Sequence, residues 1–227
     1  YCLKENWKDG LLEMDADRLF MLDKTNMRLL YCTYQRTKNN SIRRMANTMY
    51  VTHKREDGTY QPLKEHLENV AALAEAFAKS FHSPLEGRRN GLLHDIGKYS
   101  DKGQARQRDP EHTARVDHTS AGAQEAGRLG DVHAAFAIAG HHGGLLDSGK
   151  GDGTMSVRLQ KRLDGGDDPA AWKTEIQVPK ETDIPAWAQK EPIAGAMYTR
   201  MLFSCLVDAD FLDTEAAMRM WKRCCNA

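Results

Sequence analysis

Gly91-Leu92-Leu93-His94-Asp95-Ile96-Gly97-Lys98 is the stretch on which the fold turns. An apolar helical run becomes abruptly polar and sets an imidazole beside a carboxylate among leucine and isoleucine. Burying a carboxylate in such surroundings is costly unless something offsets its charge, and a cation is the usual partner.

Upstream of this stretch, Leu63, Leu67, Val70, Ala74, Phe77 and Phe81 recur at three and four, the signature of one buried helix face. Pro62 stands at the first turn of that helix, Ser83-Pro84 ends it, and His66 lies on its apolar face. Val51 and Thr52, before the turn-like Asp57-Gly58, predict a short extended lead-in. Downstream, the spacing predicts helices over Gly87–Tyr99, Thr119–Leu129, Asp131–His142, Val157–Leu163 and Ile193–Trp221. A polar loop is expected from Ser100 to Asp117 and a Gly/Asp-rich loop from Gly143 to Thr154. The expected fold is mainly α, a helical bundle with a short extended segment at its start.

Three further histidines fall in related places. His118 follows Asp117 at the start of a helix, and His141-His142 ends the apolar run Ala134–Gly140. Asp208 is spaced four, four and three from Met197, Met201 and Cys205, which places it on an inward face. Five histidines and two aspartates thus sit at or beside buried helix faces. Imidazole nitrogen suits Mn, Fe, Co, Ni or Zn, and carboxylates can bridge ions. Seven protein ligands are too many for one tetrahedral ion but fit two ions that share a bridge. Taken singly each residue has a plainer explanation, such as a satisfied core histidine or a polar helix terminus; their conjunction on separate helices gives the pattern its weight.

Composition permits this and narrows the alternatives. The 227 residues are 41% hydrophobic and 28% charged, with zero formal net charge, so a buried core is expected and bulk disorder is not. A neutral total says nothing against a nucleic-acid partner, because local charge decides that. Five cysteines, an odd number without a C-x-x-C pair, argue against a zinc ribbon or disulfide framework and for reduced thiols in the cytoplasm. No apolar run approaches the ~18 residues needed to span a bilayer, so no membrane role is expected. The opening residues do not resemble a secretory signal. Residues 1–48 differ in texture from the remainder of the chain, and Met49 would serve as a natural start. They are read as an N-terminal extension, with residues 49–227 as the principal domain. From Lys24 to Arg44 the extension carries six basic residues and no acidic one.

The order His66, His94-Asp95, His118, His141-His142, Asp208 resembles the HD superfamily of metal phosphohydrolases. Within it the chain is most similar to the HD nuclease domain of the CRISPR-associated type I helicase–nuclease. The strings that carry the resemblance are Leu63-Lys-Glu-His66-Leu, the Gly91–Lys98 stretch, Asp117-His118-Thr-Ser-Ala-Gly122, Ala139-Gly-His141-His142-Gly143 and Leu206-Val-Asp208-Ala-Asp210-Phe-Leu-Asp213-Thr-Glu215. They span roughly Met49 to Glu215.

The resemblance implies an HD-domain helical bundle and two divalent ions, with manganese, iron, nickel or cobalt ahead of magnesium or zinc. One ion would be held by His66, His94, Asp95 and Asp208, the other by Asp95, His118, His141 and His142. It implies Lys98 beside the scissile phosphate, and single-stranded DNA as the polymer cut. Its partners would be a type I CRISPR helicase domain or subunit and the RNA-guided surveillance complex. Lys102, Arg106, Arg108 and Arg115 are candidate strand contacts. No G-x-x-x-x-G-K-[ST] loop occurs, so ATP hydrolysis by that route is not expected of this chain. Two alternatives remain: an HD-type nucleotide phosphohydrolase, and a partner-binding or inhibitory N-terminal segment joined to an HD scaffold.

Overall fold

The computed structural model describes residues 50–149, 151, 154–156 and 170–225, and side chains as far as residue 218. Contacts divide the chain into Tyr1–Thr48 and Met49–Ala227; the basic run Lys24–Arg44 and the predicted helix over residues 157–163 lie outside the described residues.

Strands β1 (Val51–Lys54) and β2 (Tyr60–Pro62) form an antiparallel hairpin, with Val51 opposite Pro62 and Lys54 opposite Tyr60. Its turn requires Gly58 at φ +79°, a left-handed conformation that glycine adopts without steric cost. Asp57 Oδ1 closes the turn by accepting from Thr59 N at 2.9 Å. The hairpin runs directly into helix α1 (Leu63–Ala78).

Helix α1 packs on α2 (Pro84–Leu93), and Gly91 lets the two approach closely. A Cβ at Gly91 would lie 2.4 Å from Ala71 Cα. Leu63, Leu67, Val70 and Ala74 of α1 are fully buried there, as the three-and-four spacing requires. Each fully buried leucine contributes roughly 1.5–3 kcal/mol.

The predicted helix over 87–99 is interrupted. Helix α2 ends at Leu93, and a 3₁₀ turn covers Ile96–Tyr99, with Asp95 at φ −119°, ψ 15° between them. The predicted loop 100–117 also contains a helix, α3 (Asp101–Arg108), started by Ser100, whose hydroxyl accepts from Gly103 N at 3.1 Å. It has no apolar stripe, so periodicity could not reveal it. Its Gln104 is buried and joins the hairpin to the 3₁₀ turn, donating to Val51 O at 3.0 Å and to Lys98 O at 2.9 Å.

Before helix α4 (Thr119–Arg128), Asp117 Oδ1 accepts from Thr119 N and Ser120 N, both at 3.1 Å, and α5 (Val132–Gly140) is capped by Asp131, whose Oδ1 accepts from Ala134 N at 2.9 Å. After the short α6 (Trp172–Glu175), the long α7 (Pro192–Cys225) crosses α1 and α5. Its buried stripe is Tyr198, Leu202, Leu206, Ala209, Asp213 and Ala217. The fold is mainly helical, in agreement with the sequence. Among the described residues, no helix is long and apolar enough to cross a membrane.

A second polar cluster lies inside this bundle. Arg89 is 1% exposed and donates to Glu86 at 2.6 Å, to Asp131 at 2.8 Å and to the carbonyls of Pro179 and Glu181. Asp183 accepts from Leu85 N and Glu86 N, capping α2 from a remote segment. Residues 179–183 are thereby tied to the helix that ends at His94.

Candidate metal centre

Helix ends build this site. His94 is the C-cap of α2, His118 the N-cap of α4, and His141 the C-cap of α5. Carbonyls in a helix's last turn lack intrahelical partners, and here two of them take imidazole protons. His94 Nδ1 donates to Gly91 O at 2.8 Å and His141 Nδ1 to Ile138 O at 2.7 Å. His118 Nδ1 donates to Val116 O at 3.2 Å, and His66 Nδ1 to Asp213 Oδ2 at 2.7 Å. With Nδ1 engaged in every case, all four rings present Nε2 to one point, a second layer of bonds common behind metal-binding histidines.

That point is Asp95, which is fully buried. Its Oδ2 lies 3.4 Å from His94 Nε2 and 3.7 Å from His66 Nε2. Its Oδ1 lies 3.4 Å from His118 Nε2 and 3.6 Å from His141 Nε2. Asp210 Oδ1 adds to the first set, 3.4 Å from His66 Nε2 and 3.7 Å from His94 Nε2. His142 joins the second, its ring 3.9 Å from that of His141 and 5.0 Å from that of His118.

These separations are long for hydrogen bonds. They suit atoms that share a cation, because two donors each about 2.1 Å from one ion stand about 3.0–3.5 Å apart. The Nε2 atoms of His66, His94, His118 and His141, together with Asp95 Oδ1, are buried and have no hydrogen-bond partner. Orphaned buried polar atoms are rare unless a ligand completes them. The donor groups Asp95/His118/His141/His142, His66/His94/Asp95 and His94/His141/Asp210 could each hold a metal ion.

Electrostatics agree. Burial raises the Asp95 carboxyl, but Lys98, His94 and His118 outweigh it and hold it well below the usual carboxylate range. Burial likewise opposes ionisation of Asp210, and the facing imidazoles of His66 and His94 overcome it, holding the carboxyl well below its ordinary value. Burial works against a proton on His66, yet Asp210, Asp213 and Asp95 raise its pKa to about 10. This corner of the core therefore calls for positive charge, from a proton or from a metal ion. On the opposite side, burial lowers His118, and burial with His141 lowers His142 to about 4. Both stay neutral, with lone pairs to give.

Lys98 is 5% exposed, forms an ion pair with Asp95 Oδ2, and donates to Thr52 Oγ1 at 3.2 Å. Beside it opens a cavity of about 360 Å³, whose lining includes His53, Lys98, Arg106, Arg115, His118 and His142. Lys102 and Arg108, also expected to meet a strand, do not line it.

One sequence expectation is corrected. Asp208 is exposed and belongs to no donor group, and Asp210 stands where it was expected. The face through Met197, Met201 and Cys205 is not the buried one: Met197 is 56% exposed, and the core-facing stripe runs through Tyr198, Leu202 and Leu206. At 100° per residue, Asp210 falls 40° from Leu206 and Asp208 falls 200° from it. The Asp-Ala-Asp string contained the correct residue, and testing its register against Leu202 and Leu206 would have found it. Asp213 and His53 were missed as well. Asp213 continues the buried stripe at four from Ala209, whereas His53, which with His66 and Asp210 could also hold an ion, lies on a strand too short to show periodicity.

The HD domain family matches residues 63–177, half of this chain, and the chain belongs to that family. Its members bind divalent metals, and the class of activity is metal-dependent phosphohydrolysis. No curated protein matches it.

Proposed function

We propose that this chain is a two-metal phosphodiesterase that cuts single-stranded DNA. The observation that carries this is the split of the Asp95 carboxylate, with Oδ2 facing His66 and His94 and Oδ1 facing His118 and His141. A single carboxylate flanked by two imidazole sets is the arrangement of a bridging ligand. His66, His94, Asp95 and Asp210 would hold one ion, and Asp95, His118, His141 and His142 the other.

When bound, divalent ions supply Lewis acidity toward phosphoryl oxygens and a nucleophilic water at neutral pH. The chain's own residues do the rest. Asp213 holds the His66 ring so that Nε2 points inward. Lys98 lies between Asp95 and the open cavity, where its ammonium can meet charge that develops on a phosphate or its leaving oxygen. The exposure of His142 and Arg115 leaves the cavity open at the surface, which favours a polymer over an enclosed small ligand. The motif order supports a partnership with a type I CRISPR helicase and the RNA-guided surveillance complex.

The test is cleavage of circular single-stranded DNA with Mn²⁺ or Ni²⁺, against hydrolysis of deoxynucleoside triphosphates. Nicking of the circle that stops on chelation is expected. Efficient triphosphate hydrolysis with the circle left intact would instead identify a nucleotide phosphohydrolase. Adding the helicase and the surveillance complex should direct cutting to the guided target, and equal cutting of unrelated DNA would remove the CRISPR assignment.

A further inference from the structure

We infer that Arg115 grips the phosphate next to the scissile one, and that Arg106 serves as the brace that presents it. The inference rests on the phosphodiesterase function proposed above and divides the labour among four basic residues of one segment. Arg106 and Arg115 line the cavity beside Lys98 and His118, and Lys102 and Arg108 do not.

The two arginines differ in what they already hold. Arg106 Nη1 donates to Thr113 O at 2.7 Å and to Pro110 O, tying α3 to the chain that climbs toward His118. A guanidinium spent on two carbonyls is a structural tie. Arg115 is exposed and makes no hydrogen bond or ion pair with any other described residue, although it stands three positions before His118. Its donors remain available, and an arginine fork suits the paired oxygens of a phosphate.

The cavity also has room for more than the reacting group. Lys98 and His118 form its inner wall, against the metal donors, and Arg115 stands at its rim. At about 360 Å³ it lies at the lower end of small-molecule sites. A phosphodiester at the inner wall would leave its chain neighbour near the rim, where Arg115 can pair with it. A substrate with a single phosphate has nothing to offer there.

The experiment compares wild type with Arg115→Gln and Arg115→Lys on two substrates, a single-stranded oligonucleotide and bis(p-nitrophenyl) phosphate, both with Mn²⁺. Arg115→Gln is expected to lower kcat/KM on the oligonucleotide through KM by roughly tenfold. The loss should be several times larger than on the single phosphodiester. Arg115→Lys should recover part of it. The salt dependence of log KM should flatten by about 0.7 per decade of salt, the loss of one single-strand phosphate contact. Equal losses on both substrates, or an unchanged salt slope, would overturn the assignment. If wild type hydrolyses the small phosphodiester but no oligonucleotide, the DNA-cutting function falls, and the Arg115 assignment with it. If wild type cuts the oligonucleotide and Arg115→Gln cuts it equally well, only the Arg115 assignment falls.

Discussion

Asp213 Oδ2 accepts a hydrogen bond from His66 Nδ1 at 2.7 Å while Gln61 and Asn69 each donate to the same carboxylate at 2.8 Å. Asp213 is therefore a fixed acceptor, 6% exposed, that determines which nitrogen His66 presents to the centre. Burial raises its carboxyl, and the bonds from His66, Gln61 and Asn69 bring it below the ordinary value.

Replacing Asp213 by Ala should release the His66 ring and weaken metal binding by about 10–100-fold, the usual effect of losing a carboxylate behind a metal-bound histidine. Competition titration with a metal indicator, with circular dichroism to confirm folding, measures this. Unchanged affinity in a folded variant would show that His66 is oriented by something else.

The three aspartates of interest should separate cleanly. Asp95→Ala is expected to abolish cleavage and deplete metal, because both donor sets use its carboxylate. Asp210→Ala should lower metal content and activity, and Asp208→Ala should leave both near wild type, since its side chain faces solvent. Elemental analysis with the cleavage assay decides the matter. A strong defect in Asp208→Ala with normal Asp210→Ala would reverse the roles of the two residues.

Gly97 supports the site by being small. A Cβ there would lie 2.2 Å from His118 O and 2.6 Å from its Cα. Gly97→Ala should push His118 away from Asp95, destabilising the fold by about 1–3 kcal/mol and costing metal on the His118 side. Thermal melting and metal stoichiometry are the measurements. A variant with wild-type melting and full metal content would show that the segment yields freely.

Stability should also fall toward alkaline pH through the buried Arg89 cluster. Burial and the adjacent Asp131 push the Glu86 carboxyl up to about 8 from its ordinary 4.5, and Thr182 and Arg89 offset only part of that rise. A carboxyl raised by folding binds more protons folded than unfolded, so its contribution is fully present below about pH 4.5 and is lost as pH rises through about 8. Glu86→Gln, which carries no titrating proton, should remove that part of the decline in chemical denaturation between about pH 4.5 and about pH 8. Parallel curves for both proteins would mean that another group is responsible.

Much of the centre could be read in the sequence because its residues announce themselves locally. His94-Asp95 interrupts an apolar run, His66 sits inside a regular stripe, and His141-His142 closes one. What escaped depended on tertiary register or on polar helices. Asp210 could be chosen over Asp208 only by knowing which face of α7 is buried, and methionine at 197 and 201 gave an ambiguous answer, being tolerated on both sides. Helix α3 has almost no apolar residues, so its only local signal was the Ser100-Asp101 start. The break after Leu93 left no mark in composition. It arises where Asp95 must turn out of the helix to face rings from α1, α4 and α5.

The Arg89 tie bears on how such a chain can diversify. Arg89 and the α2 terminus secure residues 179–183. Because residues 179–183 are held through main-chain carbonyls and Asp183, the exposed side chains of Lys180 and Glu181 are free to vary into another recognition surface while the imidazoles stay in place. Specificity for a partner can then change without rebuilding the chemistry.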